Sequence, residues 1–137
     1  MEEKCVMVID NELPVGFLAN TAAILGITLG KQRPDLVGID VQDKDGNNHL
    51  GIISIPVPIL KGDVSTIRQL REKLFTEEFE DCTVVDFSGF AEGINVYDDF
   101  IREFAKVEEK DLKYFGIGLI GPKKKINKLT GSMPLLR

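Results

Sequence analysis

The sequence predicts an α/β protein of three layers, a mixed and mostly parallel sheet with helices on both faces. Three observations carry that prediction. Short apolar runs at Cys5–Ile9, Cys82–Val85 and Tyr114–Ile120 have the near-unbroken hydrophobicity of strands buried on both faces. Helical apolar patterns separate them, and strands alternating with helices imply right-handed parallel crossovers. A hairpin signal, Asp45-Gly46, lies between two further extended stretches and adds an antiparallel element.

The first strand ends at Asp10-Asn11-Glu12, and Pro14 suits the first turn of a helix, where its missing N–H costs nothing. From Val15 to about Leu29 the pattern is helical and apolar nearly all round. Leu18, Ala22, Leu25 and Leu29 form one stripe, and Phe17, Ala23, Ile24 and Ile27 cover much of the rest. Such a helix is expected to be buried on more than one side or to meet a partner. Gly26 or Gly30 is expected to end it.

Val37–Gln42 and Leu50–Ile55 read as strands flanking a polar turn. The turn is not a calcium loop, because an EF-hand frame set on Gly46 places Val41 and Ile52 at the first and last ligand positions. Pro56 and Pro58 keep the next stretch extended and out of any central strand. Ser65 is expected to cap a helix running to about Phe75, with Ile67, Leu70 and Leu74 as its buried stripe. The strand from Cys82 is expected to end at Asp86. Asn95 then caps a third helix with Tyr97, Phe100, Ile101 and Phe104 at helical spacing. In the last strand, Gly116 and Gly118 imply close approach by another backbone or a helix, and Gly121-Pro122 breaks it.

A chain of 137 residues with no internal repeat or linker is expected to be a single domain over 1–137. Its 43% hydrophobic and 28% charged residues place it with globular rather than disordered chains. The two cysteines lie in apolar runs and read as reduced thiols, which implies a reducing compartment, the cytoplasm. No signal peptide or membrane-spanning run is expected. The net charge of −5 argues against nucleic acid as a partner, since affinity for it rests on neutralising phosphates. Lys123, Lys124 and Lys125 form the one concentrated positive run, read first as a solvated loop and second as a phosphate contact. His49 stands alone and is expected at the surface, which excludes a paired-histidine metal site and disfavours Ser-His or Cys-His catalysis. There is no Walker A motif and no dinucleotide fingerprint, so no cofactor and no metal are expected.

In open α/β sheets, ligands sit beyond the carboxyl ends of parallel strands. Asp10 and Asn11 qualify after the first strand, and Asp86-Phe87-Ser88-Gly89 after the Cys82 strand. A carboxylate there can act as a base or orient a donor. Equally, Asp10 can cap the following turn and Asp86 can satisfy loop amides. Asn20 is polar on an apolar helix and is a candidate to face the same cleft, or to find a backbone partner. Cys82, at the start of its strand and with no histidine to activate it, is a poor nucleophile.

Lys4-Cys5-Val6-Met7-Val8-Ile9, with Leu13, Gly16 and Ala19-Asn20-Thr21-Ala22-Ala23, resembles the opening strand and helix of type 2 peptidyl-tRNA hydrolases. Gly116-Ile117-Gly118-Leu119-Ile120-Gly121-Pro122 and Ile126-Asn127-Lys128-Leu129-Thr130-Gly131 resemble that family's ending, and Asp86 with Gly89 resembles its Asp-Ala-Gly turn with one extra residue. The hairpin and Pro-rich middle do not fit it. The whole chain, with Pro56-Val57-Pro58, resembles more closely an uncharacterised bacterial family of the same fold, a domain of unknown function.

The resemblance implies a homodimer, as does the apolar first helix. It also implies that any catalysis is hydrolytic, with Asp86 and Asn20 as its residues; the strand-end positions Asp10, Asn11, Ser88 and Gly89, and Lys123 of the lysine run, are the ligand-binding candidates read from the residues themselves. The enzymes carry a Gly-Lys-Gly-Lys loop before the first helix, whereas Pro14-Val15-Gly16-Phe17 has no lysine. Their threonine after Asp-Ala-Gly has no counterpart near Phe90. A lost cation near phosphate or a developing oxyanion costs on the order of 10²–10³ in rate. The leading expectation is therefore a module that binds, or acts on, a small molecule or peptide in a cleft near Asp86. The alternatives are a hydrolase of the peptide–transfer RNA ester in which Lys123 replaces the missing cation, and a structural partner protein.

Overall fold

The computed structural model describes residues 2–91 and 93–137. Strand β1 (Glu3–Asp10) leads into α1 (Val15–Gln32). A hairpin of two-residue strands follows, β2 (Val41–Gln42) and β3 (Asn48–His49). Then come β4 (Ile59–Gly62), α2 (Val64–Leu74), β5 (Thr83–Ser88), α3 (Tyr97–Phe104), β6 (Tyr114–Pro122) and α4 (Lys123–Thr130).

The main sheet has the order β4-β1-β6-β5. It is mixed, as expected, but for a different reason. The hairpin forms its own two-stranded sheet, and the antiparallel character comes from β6, which runs against both β1 and β5. Only β1 and β4 pair in parallel, so the expected mostly parallel pairing is corrected to one parallel ladder against two antiparallel ones. The strand β4 itself escapes a reading that stops at Pro56 and Pro58. It starts directly after Pro58, whose carbonyl accepts from the Met7 amide, and it lies at the sheet margin where proline is tolerated.

Side-chain alternation along β1 divides the core in two. Val6 and Val8 join Ile67, Leu70, Leu74, Ile117, Leu119 and Ile126 beneath α2 and α4. Cys5, Met7 and Ile9 join Leu25, Leu29 and Ile120 beneath α1. Helices therefore cover both faces. No helix among the described residues is long and apolar enough to cross a membrane.

Helix α1 runs through both Gly26 and Gly30 instead of ending at either. Pro34 imposes the stop: Arg33, the residue before it, leaves the helical region at φ −129° and ψ 61°. One side of α1 packs on the sheet, and Val15, Phe17 and Ile27 stay exposed. The glycines of β6 explain how close it lies. A Cβ on Gly116 would sit 2.8 Å from Thr21 Cγ2, and one on Gly118 would sit 2.9 Å from Leu29 Cδ1. The close approach expected from this pair is made by a helix.

Three other expectations are corrected. Asp63, not Ser65, caps α2, its side chain accepting from the Thr66 amide at 2.7 Å. Asn95 does not cap α3, which starts after Val96, and Tyr97 and Ile101 are exposed while Phe100 and Phe104 pack on Phe90. Lys123–Lys125 open α4 rather than lie in a loop, while β6 does stop at Gly121-Pro122, as expected.

Two glycine substitutions test this packing in opposite directions. Gly116→Val is expected to lose about 1–3 kcal/mol by overpacking between Thr21 and Leu25. Gly30→Ala, where nothing lies within 4 Å of the added Cβ, is expected to gain about 0.5–1 kcal/mol. Urea unfolding midpoints of the two variants check both signs.

Candidate functional site

Asp86 sits inside β5, not after it, because the strand continues to Ser88. It ends a cross-sheet row, Leu60, Val8, Ile117 and Asp86, three buried apolar residues and then a carboxylate at the open margin. Arg71 of α2 comes down on that carboxylate, Nε to Oδ2 at 2.7 Å, with side-chain exposures of 12% and 24%. The guanidinium also stacks on Phe75, 3.6 Å from the ring centroid. Arg71 on one side and Ile117 below hold Asp86 in a fixed orientation.

A second polar group adjoins it. The Tyr114 hydroxyl donates to Glu109 at 2.7 Å, and Arg68 bonds Glu109, Glu72 and the Leu112 carbonyl while lying over the Tyr114 ring. Burial, then the bond to Glu109, pushes the Tyr114 phenol well above its usual range. The same bond holds the Glu109 carboxyl below its usual range. These groups fasten α2 to β5, β6 and the loop before β6.

Along the β5 margin, between α1 and α3, runs a cleft of about 430 Å³. Ile24 and Thr28 of α1 form one wall, and Ile94, Asn95, Tyr97 and Phe100 the other. Val85, Asp86 and Phe87 form its floor. Asn20 does not line it, but lies exposed one helical turn from Ile24 on the same stripe. Thr28 and Asn95 are polar groups that motif reading missed. Their signal was faint: an isolated threonine at i+4 from Ile24, and an asparagine taken for a cap.

The remaining candidates lie elsewhere. Asp10 is 2% exposed and its Oδ1 accepts from the Glu12 amide at 2.9 Å, so it caps the turn after β1. Asn11 lines a separate open groove with Lys61, Gly62, Asp63 and Thr66, at the carboxyl ends of β1 and β4. Ser88 is buried at the end of β5, and Gly89 lies against the Phe115 ring. Lys123 is at the other end of the sheet, its amide bonded to Glu2 and its ammonium 3.6 Å from the Glu2 carboxylate. It lies six residues beyond Ile117, the partner of Asp86, or roughly 20 Å along an extended strand. Lys123 therefore does not replace a cation at Asp86. Lys125 is held by Asp81 and the Glu78 carbonyl, which leaves little of the lysine run for phosphate.

His49 is exposed, as expected, and meets Asp43 at 2.8 Å in the hairpin turn. Among the described residues no group of three or more His, Cys, Asp or Glu could hold a metal ion. Both cysteines are free, Cys5 buried and Cys82 half-buried.

A mixed four-stranded sheet, covered on both faces and bordered by an aromatic-walled cleft, defines a small α/β protein. The chain belongs to the family described as protein of unknown function, DUF2000, whose model matches residues 3–137. A solved structure of a protein of unknown function from Agrobacterium tumefaciens strain C58 superposes with a TM-score of 0.87 at 18% identity, covering 98% of each chain. At that identity the likeness concerns the fold. No curated protein matches the chain.

Asp86→Ala is expected to cost about 1–3 kcal/mol by stranding the Arg71 guanidinium. Replacing both with leucine is expected to cost less than Asp86→Ala alone, which urea unfolding of the single and double variants checks.

Burial raises the Cys5 thiol to about 11. A raised thiol pKa favours the folded state below the unfolded value near 8.5, and that contribution is lost as pH climbs from there through 11. With a thiol reagent at pH 8, Cys5 is expected to react only after denaturant is added, which a timed thiol count checks.

Proposed function

We propose that this protein is a binding module whose β5 cleft takes a small ligand bearing amide-type donors and acceptors, a short extended peptide above all. The observation that carries this reading is the difference between the two sheet margins. At β4, residues 134–136 pair along the strand, with Lys61 N to Pro134 O at 3.0 Å and Leu136 N to Ile59 O at 2.9 Å. At β5, no described residue pairs on the outer side. An open strand edge is a template for an added strand, whose backbone supplies affinity while pockets read its side chains. Tyr97, Phe100 and Phe87 supply apolar walls, and Thr28 and Asn95 supply polar contacts.

Binding fits these residues better than catalysis. Among the described residues the cleft lining holds no histidine, cysteine or lysine, and one carboxylate, which is committed to Arg71. A base within reach of a nucleophile, the minimum for covalent catalysis, is not assembled there.

The proposal includes a shared fold with type 2 peptidyl-tRNA hydrolases. Its support is that the resembling segments fall on β1, α1, β6 and α4, which pack together in the core. The hydrolase reading lacks such support at the site, where no lysine is among the described residues that line the cleft and the chain carries a net charge of −5.

The test is amide-resolved NMR of the full chain titrated with a panel of short peptides, beside hydrolysis of an N-blocked aminoacyl-transfer RNA. Expected are saturable shifts at residues 24, 28, 85–87 and 94–100 that a cleft-filling Thr28→Phe variant abolishes, and no cleavage. Absence of any saturable shift there sinks the binding reading. Cleavage that disappears in Asp86→Asn replaces it with the hydrolase.

A further inference from the structure

Helix α1 carries two glycines that its own backbone does not need. Gly26 and Gly30 lie inside the helix, and neither has a positive φ. A Cβ on Gly26 would stand 3.6 Å from Met7 Cε, an ordinary contact, and one on Gly30 would meet nothing within 4 Å. Alanine fits both places, and inside a helix glycine is the less stable choice. This sets them apart from Gly116 and Gly118, which make room for α1 itself. What Gly26 and Gly30 leave open is a cavity of about 150 Å³.

The cavity lies beneath the flank of α1 turned away from the β5 cleft. Gly26, Leu29, Gly30 and Arg33 recur at helical spacing along that flank, while Ile24 and Thr28 face the other way. Cys5 and Met7 of β1 form its floor. Its far wall is the base of an arm, residues 37–53 built on the hairpin β2–β3, where Val37 bridges Ile53. Among the described residues Arg33 is the one charged member of the lining, and its charge is already met. Glu3 accepts from Nη1 and Nη2 at 2.8 and 2.6 Å, and Asp35 accepts from Nε and Nη2 at 3.0 and 2.8 Å. Two carboxylates on one guanidinium leave no positive charge for an anionic ligand. The backbone of the far wall is bonded too: the Leu36 carbonyl accepts from the amide and the hydroxyl of Ser54, and the Gly38 amide donates to the Ile52 carbonyl. The cavity therefore presents hydrocarbon and sulfur, and no uncommitted charge.

We propose that this cavity is a binding site for a compact, uncharged hydrocarbon molecule of about six carbon atoms, the size of a benzene ring. Apolar cavities of this volume stay dry and take up benzene. Water is a poor occupant, because it needs two or more polar partners and the lining offers it few. A carboxylate is a worse one, because it would be desolvated beside Glu3 and Asp35. Entry lies between helix and arm, where Gly30 is half-buried and Val37 is 43% exposed. Met7, with a flexible and polarisable thioether, lets the floor adapt to the shape of its guest. The site lies across α1 from the β5 cleft and does not depend on what that cleft binds.

Methyl-resolved NMR of the full chain titrated with benzene tests this. Expected are saturable shifts at the methyls of Met7, Leu29, Val37 and Ile53, with a dissociation constant on the order of 1 mM, as about six carbon atoms can supply. Sodium hexanoate, equal in carbon count but charged, is expected to bind at least about 10-fold more weakly. Gly30→Leu, whose side chain enters the cavity, is expected to weaken benzene binding at least about 10-fold. Gly16→Leu, the same change in the first turn of α1 and also with nothing within 4 Å, is expected to leave it unchanged. Xenon under pressure is expected to shift the same methyls, a readout that needs no variant. Absence of saturable shifts at those methyls, shifts confined to residues 85–87 and 94–100, or hexanoate binding as tightly as benzene overturns the proposal.

Discussion

Helix α1 lies deepest on the sheet where β6 has no side chains to hold it off, at Gly116 and Gly118. Two rows cross the sheet beneath it, Met7-Gly118-Val85 and Ile9-Gly116-Phe87, each with glycine between two larger residues. The result is a trough along β6 into which Thr21, Leu25 and Leu29 fit, all of them buried. Much else follows from that depth. Because α1 lies low over β6, its Ile24–Thr28 stripe reaches sideways to β5 and forms a wall of the cleft. A helix held off by a valine or leucine in the trough would ride several tenths of an ångström higher, and both the apolar contact and the cleft wall would move with it.

The opposite face is held by different chemistry. There the core is apolar as far as Ile117 and Tyr114, and the margin is closed by Arg68 and Arg71 meeting Glu109 and Asp86. Arginine suits this place because its stem can lie on aromatic rings while its fork bonds carboxylates and carbonyls. Both arginines do so, over Tyr114 and Phe75 respectively. A carboxylate needed as a free base would have to be released from such a contact. One that only shapes the floor of a binding cleft does not.

The buried strands and the first two helices were legible because their periodicity is strong, and the glycine pair in β6 announced a close approach without saying whether a backbone or a helix made it. The strand order was not legible. Whether β6 enters between β1 and β5, and so turns two ladders antiparallel, depends on where a long connection carries the chain, not on its local pattern. The strand β4 has four residues after two prolines and no alternation to mark it. The carboxylate Asp86 was picked out by type and position, but its partner Arg71 is fifteen residues away on a helix that the sequence marks only by its buried stripe. Thr28 and Asn95 carry no motif at all, since a cleft between elements is a property of packing.

The two margins of the sheet also separate two kinds of surface. Beside β4 lie residues 134–136, and the arm rises from the connection between α1 and that strand, so apolar surface is presented as side chains on a ribbon. Beside β5 the strand margin itself is presented, flanked by aromatic and polar groups. An open margin in a narrow cleft suits an extended segment, where hydrogen bonds fix the register and small pockets choose the residue. The strand order thus keeps the paired margin at β4 and the open margin at β5 on opposite edges of the sheet, with β1 and β6 between them.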